Sequence, residues 1–239
     1  MLSINLKEKV AIVTGGANGI GRATSLQLAK TGASVIVSDI NFEGAKKVIQ
    51  EILEMGGTGR AIKTDVTNKN DVTYMVNQTF SEFGQIDILV NNAGISKAIR
   101  FMDVDLDQFN DFFDVNVKGV YLCCQAVLVH MIKQNGGKIV NISSVAGKEA
   151  DEFFVVYTAT KSAVLGLTQG LAKEMSRYNI NVNAVCPGII QTKLWENLLK
   201  QLKGSPEYQD LREEEIWDQF VETIPLKRPQ EPEDIANMV

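Results

Sequence analysis

The chain has 239 residues, 45% of them hydrophobic, and carries a formal net charge of −5 at pH 7. This length and composition predict one globular domain with a sizeable core. The acidic balance argues against binding to nucleic acid or to an anionic membrane surface. No stretch looks apolar enough to span a bilayer, and the N-terminal residues lack the pattern of a secretory signal. We therefore expect a cytoplasmic protein without nucleic-acid or membrane partners.

Cysteine and histidine are too few and too poorly spaced for a metal site. The cysteines are Cys123, Cys124 and Cys186, an odd number with two of them adjacent, so a disulfide framework is not expected. The single histidine, His130, lies in a helix-like stretch and is expected to be a packing or surface residue. We predict no tightly held metal.

Short β-branched segments alternate with longer amphipathic segments along most of the chain. This alternation indicates a parallel sheet with helices on both faces and right-handed crossovers, in one doubly wound α/β domain over residues 1–239. Strands are predicted over residues 9–14, 34–39, 60–65, 86–92, 137–143 and 180–188, and helices over about 19–31, 42–55, 69–83, 105–134 and 155–178.

The segment of residues 189–225 does not continue this alternation. It is charged and helical in character, and it follows a strand beside the expected site. Long insertions of this kind are often lids or binding loops, so we predict a substrate lid; the alternative is an ordinary surface excursion. The sequence then ends in EPEDIANMV, which resembles the start of a helix with Pro232 in its first turn. A final strand is therefore expected to be absent from this sequence.

A glycine-rich loop joins the first predicted strand to the first predicted helix. Gly15, Gly19 and Gly21 follow the spacing G-x-x-x-G-x-G, a variant of the dinucleotide fingerprint. A Cβ here would obstruct the tight turn, the approach of a pyrophosphate, or the packing of helix on strand. The helix N-terminus offers N–H groups and the positive end of its dipole, so Asn18 and Ile20 join the predicted cofactor contacts. The alternative is that the glycines serve only the turn.

An acidic residue ends the second predicted strand. Asp39 lies about 20 residues beyond the loop, the separation typical of a ribose-binding carboxylate. Its oxygens can accept hydrogen bonds from both adenosine ribose hydroxyls, and its charge would repel a 2′-phosphate. Because the neighbouring Ile40 and Asn41 offer no cation to such a phosphate, we predict NAD rather than NADP as the cofactor. The alternative for Asp39 is a turn acid at a strand end.

Two further segments follow predicted strands. After the third strand, Asp65 could approach the adenine edge with Val66 packed nearby, although Asp65 could equally cap a turn. After the fourth strand, Gly94 would let the backbone run close beside the cofactor, while Asn91 and Asn92 could tie neighbouring strands together. The predicted cofactor contacts in these segments are Asp65, Val66, Asn92, Ala93 and Gly94.

Six motifs now stand in order along the chain: TGGANGIG, NNAG, NVKG, NISSVAG, YTATK and CPG. Jointly they resemble the short-chain dehydrogenase/reductase family over nearly the whole sequence. The resemblance implies a Rossmann fold whose sheet has seven parallel strands in the order 3-2-1-4-5-6-7, the last apparently missing here. It also implies dimers or homotetramers that pack through helices near residues 105–134 and 155–178, and we expect a homotetramer.

The same resemblance implies four catalytic residues. Tyr157 is the general acid/base, Lys161 its partner, Ser144 the donor that orients the substrate, and Asn116 a member of the proton relay. Ser144 is preferred to Ser143 because the family's serine lies thirteen residues before its tyrosine, and 157 − 13 = 144. Asn116 falls inside a predicted helix, where asparagine is unfavourable, so a local kink or a solvent-facing position is the alternative.

The implied chemistry suits these residue types. Hydride exchange between nicotinamide and a carbonyl carbon builds negative charge on the carbonyl oxygen, so a proton donor is needed there. The pKa of a phenol is ordinarily about 10, and a nearby ammonium group lowers it. Lys161 follows Tyr157 by one helical turn on the same face and could also contact the nicotinamide ribose, so both are predicted cofactor contacts. Ser144 could stabilise charge on the substrate oxygen.

The segment after the sixth strand completes the predicted cofactor site. The family pattern implies contacts to the nicotinamide from Pro187 and Gly188, while Ile190 and Thr192 could reach its carboxamide or the pyrophosphate. Trp195 is a candidate pocket wall, or else it merely anchors the lid. Further candidates for the pocket lie between the serine and the tyrosine: Lys148, Glu149, Glu152 and Phe154.

The length of the lid and its sequence TKLWENL resemble the polyol, sugar and acetoin/butanediol dehydrogenases of the family. We expect an NAD-dependent enzyme that interconverts a small secondary alcohol, of polyol, sugar-alcohol or acyloin type, and its ketone. One alternative is an enzyme for a bulkier ketone, a hydroxysteroid or a 3-oxoacyl thioester, although Asp39 argues against the usual NADPH-using thioester reductase. The other is a non-catalytic NAD(H)-binding sensor, against which the intact catalytic set speaks.

Overall fold

A parallel sheet of six strands forms the centre of the molecule, which a computed structural model describes over residues 4–239. The strands are β1 (Val10–Thr14), β2 (Ser34–Asp39), β3 (Thr58–Lys63), β4 (Ile88–Asn91), β5 (Gly137–Ile142) and β6 (Ile180–Val185). Their order is β3-β2-β1-β4-β5-β6, and each neighbouring pair is parallel. The predicted doubly wound α/β fold is confirmed, and residues 4–239 contain no seventh strand.

Helices cover both faces of this sheet. They are α1 (Gly19–Lys30), α2 (Phe42–Glu54), α3 (Lys69–Phe83), α4 (Leu106–Phe113), α5 (Gly119–Gln134), α6 (Val155–Met175), α7 (Lys193–Lys203), α8 (Glu213–Glu222) and α9 (Pro232–Ala236). Side chains alternate between the two faces along each strand. Ile12 and Ile36 belong to the core beside α3, α5 and α6, whereas Val13 and Val35 belong to the core beside α1, α2 and α9. The alternating short apolar runs of the sequence therefore predict the layers correctly.

Several predicted strand boundaries differ from the observed ones by one to three residues, and two of these differences have a backbone cause. β3 begins at Thr58, two residues before the predicted start, and includes Gly59. A Cβ on Gly59 would lie 2.4 Å from the carbonyl oxygen of Val35 in β2, so this glycine allows close strand contact rather than a turn. β6 ends at Val185 instead of residue 188, because Pro187 has no N–H with which to continue the ladder.

The helix predicted over residues 105–134 is interrupted. Between α4 and α5 lies a π-helical turn, Asp114–Lys118, with Asn116 at its centre and completely buried. A π-helical turn widens the helix by one residue and is frequent at functional sites. Of the two alternatives for Asn116, a local irregularity of the helix matches this turn, whereas a solvent-facing position is wrong.

The same helical stretch bears on the membrane prediction. Leu106–Gln134 has 29 residues and is long and apolar enough to cross a membrane by length and composition alone, contrary to the sequence-based expectation. Half of its apolar window is buried inside the protein, and core helices of soluble proteins pass the same test. The apolar character of this stretch is explained by its packing against the sheet.

The predicted lid segment contains α7 and α8, here called the lid helices. Leu198, Leu202 and Ile216 of these helices are buried against Phe153 and Phe154, which precede α6. The segment is therefore packed through its own apolar cluster beside the start of α6. After it, α9 begins with Pro232 at its first turn, as predicted.

Candidate active site

The predicted site residues converge at the carboxyl ends of the parallel strands. The glycine-rich loop follows β1, Asp39 ends β2, and Asn91 ends β4. Ser144 follows β5, and Pro187 follows β6. In open α/β sheets this edge is where ligands bind. The fold thus collects on one side of the sheet residues that are far apart in sequence.

The glycine-rich loop packs directly against the segment after β4. Gly15 has a positive φ of 62°, and a Cβ on it would lie 2.8 Å from Cα of Ala93. A Cβ on Gly21 would lie only 2.2 Å from the carbonyl oxygen of Gly15. The side chain of Asn92 donates hydrogen bonds to the carbonyl oxygens of Thr14 (3.0 Å) and Gly15 (2.9 Å). The structure therefore fixes the loop through backbone contacts that only glycine permits.

The loop presents the amino end of α1. Asn18 precedes this helix without capping it through its side chain, and the first turn carries no acidic residue. The N–H groups and positive dipole end of Gly19–Gly21 suit the pyrophosphate of a dinucleotide. Thr192 also reaches this loop, since its methyl carbon lies 3.5 Å from where a Cβ on Gly19 would be. Ile20, by contrast, packs against the core beside α1 and α2.

Asp39 is held beside the loop by two backbone hydrogen bonds. Its Oδ2 accepts from the N–H of Ala17 at 2.9 Å and its Oδ1 from the N–H of Asn41 at 2.8 Å. The hydrogen bond from Asn41 matches the alternative interpretation of Asp39 as an acid that caps a turn at the strand end. Each carboxylate oxygen retains a further acceptor site, so the same group can also bind ribose hydroxyls.

The two residues predicted near the adenine have structural contacts of their own. Oδ1 of Asp65 accepts from the N–H (2.9 Å) and the hydroxyl (2.8 Å) of Thr67, which is the turn-capping role considered as the alternative. Val66 is buried, and a Cβ on Gly119 of α5 would lie 2.8 Å from its methyl carbon. Their contact with adenine stays a prediction.

The two asparagines at the end of β4, Asn91 and Asn92, tie neighbouring strands together, as expected. Nδ2 of Asn91 donates to Oδ1 of Asn141 in β5 at 2.8 Å. Nδ2 of Asn141 donates in turn to the hydroxyl of Thr168 in α6 at 2.8 Å. The hydroxyl of Thr14, which the sequence did not single out, accepts from the N–H groups of Asn92 and Ala93 at 3.1 and 3.2 Å.

Three of the four predicted catalytic residues meet above the end of β5. Lys161 is only 5% exposed; its Nζ donates to the carbonyl oxygen of Ile142 at 2.9 Å and lies 5.6 Å from the ring centroid of Tyr157. Ser144 lies near enough to the Tyr157 hydroxyl for hydrogen bonding between them to lower the pKa of the phenol. The hydroxyl of Ser143 is buried and donates to the carbonyl oxygen of Lys161 at 2.9 Å. The two serines therefore have different roles, and Ser144 is the one at the phenol.

Burial dominates the electrostatics of this group. It raises the pKa of Tyr157 above its ordinary value, and the hydrogen bond with Ser144 opposes that rise. Burial also lowers the pKa of Lys161 to about 8, with Cys186 nearby acting in the opposite direction. The net change in the protein alone is a rise in the Tyr157 pKa, because burial outweighs the hydrogen bond with Ser144. The lowering of this pKa by the Lys161 ammonium and a bound oxidised nicotinamide stays a prediction.

Asn116 completes the set from the π-helical turn. Its Oδ1 accepts from the N–H of Ile95 at 2.8 Å, and its Nδ2 donates to the carbonyl oxygen of Ile95 at 2.9 Å and to the hydroxyl of Thr160 at 3.1 Å. A Cβ on Gly94 would lie 3.2 Å from Oδ1 of Asn116 and 3.5 Å from Nζ of Lys161. The backbone after β4 thus passes directly beside both residues.

The segment after β6 is held by a side chain that the sequence reasoning missed. Oε1 of Gln230 accepts from the N–H of Gly188 at 2.9 Å, and Gln230 forms a parallel bridge with Ile190. The carbonyl oxygen of Pro187 accepts from the N–H of Val145 at 2.9 Å. Ile190 is buried in the core, so only its backbone remains available to a cofactor.

The candidate pocket residues lie in three different environments. Phe154 is buried with its ring centroid 6.4 Å from that of Tyr157, so it borders the phenol. Trp195 packs edge to face on Trp217 and Phe220, with ring centroids 5.7 and 5.2 Å apart. This packing matches the alternative in which Trp195 anchors the lid segment. The remaining candidates lie on the surface: Lys148 and Glu149 are exposed, and Glu152 pairs with Arg100 at 2.7 Å.

Cysteine and histidine show no sign of a metal site. Within residues 4–239, no cluster of three His, Cys, Asp or Glu side chains could hold an ion. The three cysteines are unpaired, and burial raises the pKa of Cys124 to about 12. His130 packs against Phe80, with ring centroids 4.3 Å apart, as expected of a packing histidine.

Comparison with known sequences decides the family. Residues 9–203 match the model of the short chain dehydrogenases. The chain belongs to this family. A 3-oxoacyl-[acyl-carrier-protein] reductase from Synechocystis sp. is 37% identical over 98% of this chain and 88% of the relative. A diacetyl reductase, (S)-acetoin forming, from Staphylococcus epidermidis is 35% identical over 97% of this chain and 90% of the relative.

Solved structures of family members superpose closely. An NAD⁺-bound xylitol dehydrogenase gives a TM-score of 0.93 at 32% identity, covering 98% of this chain and 91% of that structure. An actinorhodin polyketide ketoreductase with NADPH gives a TM-score of 0.92 at 30% identity, covering 96% of this chain and 88% of that structure. This short-chain dehydrogenase is therefore an oxidoreductase that acts on CH–OH donors with a nicotinamide cofactor.

Replacing Lys161 with Met is predicted to change how stability depends on pH. The pKa of Lys161 is about 8 in the folded protein, against 10.5 for the ordinary group. Between these values the unfolded chain binds more protons, so the free energy of unfolding of the wild type rises with pH, by up to about 3 kcal/mol from this group. The Met variant lacks that gain.

Urea unfolding of both proteins between about pH 7 and pH 10.5 measures this difference. The control is Lys173→Met, which removes an exposed lysine from the same helix. Parallel pH profiles for the wild type and the Lys161 variant would contradict the lowered pKa.

Proposed function

We propose that this short-chain dehydrogenase interconverts a small secondary alcohol and its ketone with NAD(H). The alcohol is of polyol, sugar-alcohol or acyloin type, and Tyr157 is the general acid/base. The observation that carries the proposal is the cluster of Ser144, Tyr157 and buried Lys161 at the carboxyl end of β5. A proton donor, a second hydrogen-bond donor and a buried amine at one place suit proton transfer to a carbonyl oxygen.

Each of these residues has a definite part in the proposed reaction. In ketone reduction, the Ser144 hydroxyl donates to the carbonyl oxygen and the Tyr157 phenol gives that oxygen its proton. The amine of Lys161, held on the carbonyl of Ile142, stabilises the phenolate that remains. The nicotinamide, when bound, supplies the hydride. In alcohol oxidation the phenolate takes the proton back, so the protonation state of Tyr157 governs how the rate of each direction depends on pH.

Asp39 supports NAD(H) over NADP(H). Its carboxylate is buried beside the glycine-rich loop, held by the N–H groups of Ala17 and Asn41. A 2′-phosphate placed at this edge would meet a fixed negative charge in a partly desolvated site. The NAD⁺-bound xylitol dehydrogenase supports the same cofactor, whereas the ketoreductase with NADPH is the counterexample within the family.

A second candidate function has its own support. Several relatives, including the one from Synechocystis sp., are 3-oxoacyl-[acyl-carrier-protein] reductases. The apolar cluster of the lid helices, with Phe154 beside the phenol, could also accept a bulkier ketone. We prefer the smaller alcohol because Asp39 opposes NADPH and because the diacetyl reductase and xylitol dehydrogenase act on compact substrates by name.

A substrate panel tests the proposal. Initial rates are measured with acetoin, diacetyl, xylitol, sorbitol, a hydroxysteroid and a 3-oxoacyl thioester, each with both nicotinamide cofactors. We expect the highest kcat/KM for an acyloin or polyol with NAD(H). A preference for the thioester with NADPH would establish the second candidate instead. Tight NADH binding without turnover of any compound would indicate a sensor.

Replacing Tyr157 with Phe is predicted to lower kcat by at least about 100-fold, because the general acid/base is removed. NADH binding, followed by fluorescence, is expected to stay within about 2-fold, since the aromatic ring remains. The control is Tyr178→Phe. Tyr178 lies just before β6, at the amino end of that strand and away from the carboxyl ends where the site lies. Turnover by the Tyr157 variant near the wild-type rate would refute the catalytic assignment.

Replacing Asp39 with Ala is predicted to reduce the preference for NAD over NADP by about 10- to 100-fold, measured as the ratio of the two kcat/KM values. The variant loses hydrogen bonds to the ribose and the charge that repels a 2′-phosphate. Glu43→Ala is the matched control because it removes a nearby exposed carboxylate of α2. An unchanged ratio in the Asp39 variant would mean that this carboxylate serves only the turn.

A further inference from the structure

Asn116 is fixed in one orientation by three hydrogen bonds. The N–H of Ile95 can only donate, so it faces the amide oxygen of Asn116, and the carbonyl of Ile95 can only accept, so it faces the amide nitrogen. The third bond runs from the same nitrogen to the hydroxyl of Thr160 at 3.1 Å. Two of the three bonds thus come from one residue of the segment after β4, and the third comes from α6.

The Thr160 hydroxyl can only accept from Asn116. Its one proton is donated to the carbonyl oxygen of Tyr157 at 2.7 Å, and Thr160 is completely buried. With the proton engaged, the remaining capacity of the oxygen is as an acceptor. This hydroxyl therefore joins Asn116 to the helical turn that carries both Tyr157 and Lys161.

We propose that Thr160 is a positioning residue, which holds Asn116 in register with the turn of α6 between Tyr157 and Lys161. This inference rests on the proposed function. Asn116 lies in the π-helical turn, where the regular helix pattern is broken, so its position depends on side-chain contacts. A Cβ built on Gly94 would lie 3.2 Å from Oδ1 of Asn116 and 3.5 Å from Nζ of Lys161, so both side chains face the same side of Gly94. A shift of Asn116 would change what the lysine faces.

A second threonine of α6 provides a matched control. The hydroxyl of Thr168 donates to the carbonyl oxygen of Val164 at 2.7 Å and accepts from Nδ2 of Asn141 at 2.8 Å. Thr168 is likewise buried in the same helix and bonded to a buried asparagine, but its partner belongs to β5 instead of the catalytic set. The two threonines therefore share their local chemistry and differ in what they position.

The experiment compares Thr160→Val, Thr160→Ser and Thr168→Val in steady-state kinetics and thermal unfolding. We expect Thr160→Val to lower kcat about 10-fold with the KM for NAD unchanged, and Thr160→Ser to restore most of the rate. Thr168→Val is expected to lose a similar amount of stability while kcat stays within about 2-fold. In an Asn116→Ala background, Thr160→Val is expected to have little further effect, because the partner is already gone.

Three results would overturn the inference: wild-type kcat in Thr160→Val, an equal loss in Thr168→Val, or an undiminished loss in the Asn116→Ala background. If Thr160→Val does not fold, Thr160→Ala removes the same hydroxyl and is compared with Thr160→Ser by the same criteria. The two proposals fail separately. If the wild type turns over no substrate, the proposed function is refuted. If the wild type is active and the Thr160→Val variant is equally active, only the role of Thr160 is refuted.

Discussion

The buried amine of Lys161 is the group around which the site is arranged. Removing a lysine side chain from water disfavours its charged form, and the structure offsets part of this cost with the hydrogen bond to the carbonyl of Ile142. That bond joins α6 to the last residue of β5. Ser143 adds a second connection, since its hydroxyl donates to the Lys161 carbonyl. The helix that carries Tyr157 is thereby fixed against the strand that is followed by Ser144.

Two glycines, Gly147 and Gly94, let neighbouring backbone segments approach Lys161 closely. A Cβ on Gly147 would lie 3.0 Å from the carbonyl carbon and oxygen of Lys161, so the loop after β5 lies directly on α6. A Cβ on Gly94 would lie 3.5 Å from the Lys161 amine, so the segment after β4 approaches the side chain of the same residue. Larger side chains at either position would separate the elements that enclose Lys161. Close packing around Lys161, on its main chain and on its amine, therefore accounts for two glycines that belong to different motifs of the sequence.

Local patterns in the sequence predicted the strands and helices, and the resemblance to the family implied the catalytic residues. Strand positions follow from runs of β-branched residues, and the pair Tyr157 and Lys161 follows from one helical turn. The glycine-rich loop is recognisable because its glycines stand between a strand and a helix. These features depend on neighbours in sequence, so local pattern and resemblance can indicate them, and the binding and catalytic roles of the residues stay predictions.

Features that depend on distant partners could not be predicted in this way. The π-helical turn at Asn116 depends on bonds to Ile95 and Thr160, and Gln230 reaches Gly188 across 42 residues. The rise in the Tyr157 pKa in the protein alone depends on burial, which is a property of the whole fold. Long-range hydrogen bonds and burial can be determined only from the three-dimensional structure, whereas the residue types involved can be read from the sequence.

The central claim is that a buried phenol, raised in pKa by desolvation, becomes acidic enough when positive charge is added beside it. Ultraviolet difference titration of the wild type against Tyr157→Phe, with and without saturating NAD⁺, isolates the ionisation of this phenol. The account predicts a midpoint above about 10 for the protein alone and a clearly lower midpoint with NAD⁺. A midpoint that does not change when NAD⁺ binds would contradict it.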